Sequence, residues 1–312
     1  MSKKNTFSLA IHGGAGVIDK EELSKAERSA IVKDLHASLE AGETVLRNGG
    51  SAIEAVCAAV RSLEDSANFN AGKGAVYSRS GKHYLEASVM EGKEHRAGAL
   101  SNSKHIKNPV DMAKILMERN DIVMLDGEGV DQMAKDYNLP LVENDWFDTP
   151  FRAQQWELAK KYAADQTFLD HSNFKKGTVG AVAIDQNGLV AAATSTGGMT
   201  NKIDGRIGDT ALIGCGTYAD NKTCAVSCTG TGEYFIRAVV AATVSHLMEY
   251  GGLTFEEAAQ KAIDKQADLG GDGGLIAIDS QGKITMPYNS EGMYRGYVTA
   301  DEKKVYIWNQ PE

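Results

Sequence analysis

Residues 179–184 and 189–193 are short apolar runs separated by Asp185-Gln186-Asn187-Gly188, and residues 275–278 and 283–286 repeat that arrangement around Asp279-Ser280-Gln281-Gly282. Short apolar runs joined by a polar turn ending in glycine form antiparallel hairpins, because glycine accepts the backbone conformation that the turn demands. Between the two hairpins, residues 236–248 and 254–263 have helical spacing, and Thr254-x-x-Glu257 is a capping box. Two helices joining two hairpins cover one face of an antiparallel sheet, and that restricts the C-terminal half to a layered arrangement. The likeness between the hairpins is local and does not amount to a repeat array.

The N-terminal half supplies more layers. Residues 6–11 read as a buried strand running into a glycine-rich turn at Gly13-Gly14-Ala15-Gly16. Ser24-x-x-Glu27 and Ser51-x-x-Glu54 are two further capping boxes, each opening a helix. Ile31, Leu35 and Leu39 line one face of the first helix, which Gly49-Gly50 ends, and Ile53, Val56, Cys57, Val60 and Leu63 line the second. A strand is expected around Val76, a strand and a helix within 120–140, a helical piece through Trp156 and Leu158, and an exposed loop at 171–176. Pattern alone leaves the number of sheets open.

Charge narrows the partners. With 33 basic against 42 acidic residues the formal charge is -9, and no basic block is present, so nucleic acid and anionic membranes are poor partners. Cys57, Cys215, Cys224 and Cys228 form no paired spacing, which suits a reducing cytoplasm. The apolar run at 7–11 is too short for a signal peptide or a membrane span. The seven histidines are scattered and make no transition-metal motif.

Candidate chemistry gathers in the second half. Thr178 follows Gly177 at the head of a strand, where a β-branched residue needs no further reason. A threonine is also a hydrolytic nucleophile when its own α-amine is freed to act as base, which requires a cut before Thr178. Such an amine ionises near 8, so an appreciable fraction is neutral at neutral pH, whereas a lysine near 10.4 is almost wholly charged. Thr196 reads equally as a polar strand end, and Thr229-Gly230 as a turn. The run Thr229-Gly230-Thr231-Gly232 lacks the full spacing of a phosphate loop. Arg206 and Asp209 form either a surface pair or a clamp for a small zwitterion, guanidinium to carboxylate and carboxylate to ammonium. Asn70, near glycine, reads as a turn former.

Taken together, Ile11-His12-Gly13-Gly14-Ala15-Gly16, Phe69-Asn70-Ala71-Gly72, Gly177 to Val182, Thr194 to Asn201, Gly205 to Asp209, Cys228 to Glu233 and Asn289 to Met293 resemble the plant-type L-asparaginases, or isoaspartyl peptidases, of the N-terminal nucleophile hydrolase superfamily. The resemblance runs in order through almost the whole chain. It implies an α+β fold, a four-layer αββα sandwich, in one hydrolase domain spanning 1–312 that cuts itself into an α subunit (1–177) and a β subunit (178–312). It further implies that Thr178 attacks the Gly177 carbonyl, that Thr196 orients the nucleophile, and that Thr229 with the N–H of Gly230 forms the oxyanion hole. Arg206 and Asp209 would hold an aspartyl head group with help from the Gly232 carbonyl, and Asn70 would support the site. The implied substrates are L-asparagine and β-aspartyl dipeptides.

No organic cofactor is implied. The loop from Leu63 to Lys73 resembles the family's sodium loop, with backbone carbonyls of Leu63, Glu64, Ser66, Phe69, Ala71 and Lys73 as ligands to a structural ion. The implied assembly is a dimer of αβ units. Two other readings stay open: a glycosylasparaginase, disfavoured by Gly rather than Asp before Thr178, and an uncleaved binding protein that uses Arg206 and Asp209 alone.

Overall fold

The computed structural model describes residues 7–21, 23–119, 121–162 and 177–312. Its centre is an eight-stranded sheet built from β1 (Ser8–Gly16), β2 (Leu85–Glu91), β3 (Ala97–Ser103), β4 (Met124–Asp126), β5 (Val179–Ile184), β6 (Val190–Thr196), β11 (Gly292–Thr299) and β12 (Lys303–Tyr306). The strand order is β12-β11-β1-β5-β6-β2-β3-β4. A second, four-stranded sheet contains β7 (Thr217–Ala219), β8 (Cys224–Gly230), β9 (Gly273–Asp279) and β10 (Ile284–Thr285), in the order β10-β9-β8-β7.

Alternation along the strands builds three apolar layers. Leu9 and Ile11 of β1 and Val179, Ala181 and Ala183 of β5 pack against helices α1 (Lys25–Arg47) and α2 (Ala52–Glu64), α3 (Pro109–Arg119) lies on β2 and β3, and α4 (Glu128–Asp136) and α5 (Pro150–Tyr162) follow it in the chain. On the opposite face of the same strands, Ala10, Val182 and Ile184 meet Ala225, Ile276 and Ile278 of the second sheet. Cys224, Val226, Leu275 and Ala277 then face α6 (Gly232–Ala238), α7 (Val240–Glu249) and α8 (Phe255–Ala267). A strand buried on both faces needs apolar residues at consecutive positions, and a period of two divides them between the two layers. The result is the expected four-layer αββα sandwich. Ser24, Ser51 and Thr254 cap their helices in reciprocal capping boxes, as their spacing predicts.

Several elements differ from the sequence reading. The glycine run at 13–16 is not a turn: β1 continues through it to Gly16, paired with β11 across an irregularity between His12 and Gly14. No strand forms at Val76, whereas β2, β3 and α3 all lie in stretches where no element was expected. The helix expected over 236–248 is broken at Val239, which takes a left-handed conformation (φ 52°). The break lets the first-turn N–H groups of Ala241 and Ala242 donate to the carbonyls of Cys215 and Gly214 (3.2 and 2.8 Å). The returning strand of the second hairpin shortens to Ile284–Thr285. The loop expected at 171–176 lies outside the described residues. Among the described residues no helix is long and apolar enough to cross a membrane.

Candidate active site

The layer between the two sheets is apolar at one end and polar at the other. Glu86 and Ser88 on β2, His12 on β1, Gly180 on β5, Thr194 and Thr196 on β6 and Ser227 on β8 share the parity of the inter-sheet apolar residues, and all of these polar side chains are buried. Thr178 stands immediately before β5 at this polar end, 7% exposed. Its hydroxyl donates to Thr196 Oγ1 at 3.1 Å, and the same Thr196 oxygen accepts from the N–H of Gly198 at 3.0 Å. The pairing predicted between Thr178 and Thr196 is therefore present.

His12 fixes the other side of the nucleophile. Its Nδ1 lies 2.9 Å from the Thr178 carbonyl, which can only accept, so Nδ1 carries the proton. Nε2 then accepts from the Ser227 hydroxyl at 2.9 Å, and Ser227 lies 2.7 Å from Thr194 Oγ1. Burial lowers the His12 pKa to about 3 and keeps the ring neutral, which agrees with this tautomer. The sequence reading assigns His12 no site role, because its partner Ser227 lies 215 residues away in the other sheet. Gly180, its register partner on β5, leaves the room: a Cβ there would collide with both Ser227 Oγ and His12 Nε2.

The glycines of β1 cradle the bond before Thr178. A Cβ at Gly14 (φ +112°) would fall on the backbone nitrogen of Gly177, and one at Gly177 would sit 3.0 Å from Thr229 Oγ1 and 3.3 Å from Gly14 Cα. Thr229 Oγ1 accepts from the N–H of Ala15 at 3.3 Å. Gly177, Thr178, Gly230 and Thr231 line one cavity together with Asn70 and Gly198. Asn70 does more than turn the chain: its Nδ2 donates to the Gly198 carbonyl at 2.6 Å and its Oδ1 accepts from Val76 N at 3.1 Å.

Arg206 and Asp209 meet at Gly232, where a Cβ would stand 2.9 Å from Arg206 Nη2 and 2.9 Å from Asp209 Oδ1. They are not each other's ion-pair partner. Arg206 holds Glu233 in a two-pronged contact, Nε to Oε1 at 3.0 Å and Nη2 to Oε2 at 2.9 Å. The sequence reading gave Glu233 no role. Asp209 is buried with Oδ2 lacking any hydrogen-bond partner, and burial raises its pKa to about 7. A buried carboxylate oxygen without a donor is costly unless a ligand supplies one.

The loop after α2 winds tightly. A Cβ at Gly72 would strike the Glu64 carbonyl oxygen, and one at Gly74 would strike that of Phe69. The Ser66 hydroxyl donates to Asp34 at 2.5 Å, so its side chain is turned toward α1. Only glycine fits against the Glu64 and Phe69 carbonyls, which are hard oxygen donors of the kind a cation takes, while the carbonyls of Leu63 and Ala71 accept from the N–H groups of Ser66 and Gly74.

Fold and site together define a threonine hydrolase of the N-terminal nucleophile class. The chain belongs to the asparaginase family, whose profile matches residues 5–307. It is 47% identical over 300 residues to an isoaspartyl peptidase of Salmonella typhimurium, covering 94% of this chain and 95% of that protein. It is 40% identical over 306 residues to an isoaspartyl peptidase/L-asparaginase of Xenopus laevis, covering 96% and 95%. A plant-type L-asparaginase of Pyrobaculum calidifontis is 35% identical over 292 residues, covering 93% and 96%.

Proposed function

We propose that the protein is an isoaspartyl peptidase and L-asparaginase that activates itself by cutting the Gly177–Thr178 bond. The observation that carries the reading is the placement of Thr178: its hydroxyl rests on Thr196 while the preceding Gly177 is pressed between Gly14 and Thr229. In the continuous chain the Thr178 nitrogen is an amide and cannot act as base. Attack by Thr178 Oγ1 on the Gly177 carbonyl forms an ester and frees the Thr178 amine. Water then cleaves the ester, leaving a carboxylate on Gly177.

The freed amine becomes the base for turnover. The substrate's α-carboxylate pairs with the Arg206 guanidinium, whose Nε–Nη2 edge Glu233 holds, and its α-ammonium takes Asp209 and the Gly232 carbonyl, which presents the side-chain amide to Thr178. Thr178 Oγ1 loses its proton to its own amine and bonds to the β-carbonyl carbon. Thr229 and the Gly230 N–H stabilise the resulting oxyanion, a contribution of about 3 kcal/mol per donor. The amide C–N bond breaks as the nitrogen takes the proton, releasing ammonia or the distal amino acid. Water hydrolyses the β-aspartyl ester and frees aspartate. Asn70 and Thr196 keep the surrounding loop in place.

The carbonyls of Leu63, Glu64, Ser66, Phe69, Ala71 and Lys73 would hold a sodium ion that fixes the loop carrying Asn70, with no part in bond making. Four free cysteines support a cytoplasmic setting, and the assembly proposed is a dimer of αβ units. Purified protein should give two fragments by mass, one ending at Gly177 and the other beginning at Thr178, and should hydrolyse β-aspartyl dipeptides. Thr178→Ala should give one uncut, inactive chain. Normal cleavage in that variant would overturn the reading.

A further inference from the structure

Two buried charges behind the clamp have no part in the chemistry above. Lys202 and Glu86 are both fully buried, with ammonium and carboxylate 3.6 Å apart. Apolar side chains of similar volume commonly stabilise a fold as well as a buried ion pair does, so the other contacts of such a pair indicate what it is for. Lys202 Nζ donates to the Tyr84 carbonyl at 2.9 Å, and its stem lies on Gly198, where a Cβ would stand 2.6 Å from Nζ and 2.9 Å from Cδ. Gly198 is the residue whose N–H donates to Thr196, the hydroxyl partner of Thr178.

Glu86 faces the other way. It is the register partner of Thr196 across β2 and β6, and its Oε2 accepts from the N–H of Gly208 at 2.9 Å. Gly208 precedes Asp209 and packs on Arg206, whose Nη1 would be 2.8 Å from a Cβ there. The pair thus touches the loop that holds the nucleophile's partner through Lys202 and the loop that carries the clamp through Glu86.

We propose that the Lys202–Glu86 pair is a positioning device that sets the separation between the head-group clamp and Thr178. The inference rests on the reading that Arg206 and Asp209 hold the aspartyl head group while Thr178 attacks. Neither residue of the pair touches substrate. Glu86 anchors Gly208, Lys202 braces Gly198, and the ion pair makes the two loops move as one. Burial lowers the Lys202 pKa to about 8, and the neighbouring Glu86 opposes that fall, so the ammonium depends on its partner.

The test uses the full chain with Lys202→Met, Glu86→Gln and both together. Fragment masses, thermal unfolding, L-aspartate affinity by calorimetry, and kcat and KM for a β-aspartyl dipeptide are read for each. Lys202→Met should lower kcat about 100-fold and weaken L-aspartate binding about tenfold, because a misplacement on the order of 1 Å suffices for such losses. Glu86→Gln should act mainly on KM, because it loosens the clamp first. The double variant should lose no more than the worse single variant, since both act through one contact. A pair with a merely structural role would lower the melting temperature and leave kcat and KM of the folded enzyme unchanged, and that result overturns the proposal, as do additive losses. If Lys202→Met does not fold, Glu86→Asp decides: it keeps the charge, shortens the reach, and should weaken L-aspartate binding about tenfold. Unchanged affinity in that variant overturns the proposal. A wild-type enzyme that neither binds L-aspartate nor cleaves the dipeptide removes the substrate reading and this inference together. A normal wild type with undisturbed variants removes the inference alone.

Discussion

Asp209 is the residue whose environment makes the sharpest demand. An aspartate ordinarily ionises near 3.9, and burial, with repulsion from Glu86, raises Asp209 to about 7. Its folded value is thus above its unfolded one, so between about pH 4 and about pH 7 the folded state holds a proton that the unfolded chain has lost. This group makes folding less favourable as pH rises through that window. Ligand binding has the opposite sign, since only the carboxylate attracts an α-ammonium. L-Aspartate affinity should therefore weaken as pH falls below about 7, by about tenfold per unit, and Asp209→Asn should bind weakly with a flat profile. Calorimetry at several pH values between about 8 and about 5 checks this, and a wild-type affinity constant over that range would refute it. His12 contributes nothing there, because burial keeps it neutral until about pH 3. Thr178→Ser should keep part of the turnover, as the hydroxyl survives while the methyl that restricts its rotamer is lost. Steady-state rates on material of confirmed terminus check that expectation.

At the scale of elements, small residues decide where large ones can work. Gly180 on β5 gives way to His12 from the neighbouring strand and Ser227 from the facing sheet, so Gly180→Ala should lower stability by about 1–3 kcal/mol and reduce turnover by displacing the Thr178 carbonyl's donor. Thermal melts and kcat on the cleaved enzyme read both effects. Val239 makes the opposite case: a β-branched residue held at φ 52° and 43% exposed carries strain of about 1–2 kcal/mol with little burial to offset it. Val239→Gly should raise the melting temperature by no more than about 2 °C, corresponding to about 1 kcal/mol or less after the extra freedom of the unfolded glycine is counted. These two sites also mark where the sequence stops being legible. The hairpin after Val179 and the capping boxes at Ser24, Ser51 and Thr254 depend on local spacing and are found where spacing puts them, whereas the roles of Thr178 and its motif neighbours come from the family resemblance and not from spacing. The break at Val239 depends on carbonyls offered by Gly214 and Cys215, the unbroken run of β1 through Gly14 on pairing with β11, and the site role of His12 on Ser227 in the other sheet. Each of those is a contact between distant parts of the chain, which helical or strand periodicity does not encode. Glu233 escaped notice for the same reason, since its partner Arg206 lies 27 residues earlier.

For the whole molecule, the order of strands determines what a cut before Thr178 can do. In the large sheet, β1 from the N-terminal part lies between β11 and β5 from the C-terminal part, and β6 in turn pairs with β2. The two products of the proposed cut, 1–177 and 178–312, would therefore share three strand interfaces in one sheet: β1 with β11, β1 with β5, and β2 with β6. Residues of both products also build the layer beneath α1, α2 and α3, where Leu9, Leu35 and Val60 meet Val179, Ala181 and Tyr294. Breaking one peptide bond removes none of these ladders or contacts, and an interface with the character of a domain core does not dissociate under native conditions. Cleavage should then leave native mass and hydrodynamic size unchanged while denaturing electrophoresis resolves two bands. Light scattering on the wild type and on uncut Thr178→Ala, compared with the same samples in strong denaturant, gives the reading. Fragments that separate during native chromatography would contradict the interleaved sheet. Equal native masses with two denatured bands would show that the cut frees a terminus within an intact fold, which is what a nucleophile that must stay on Thr196 and beneath Thr229 requires.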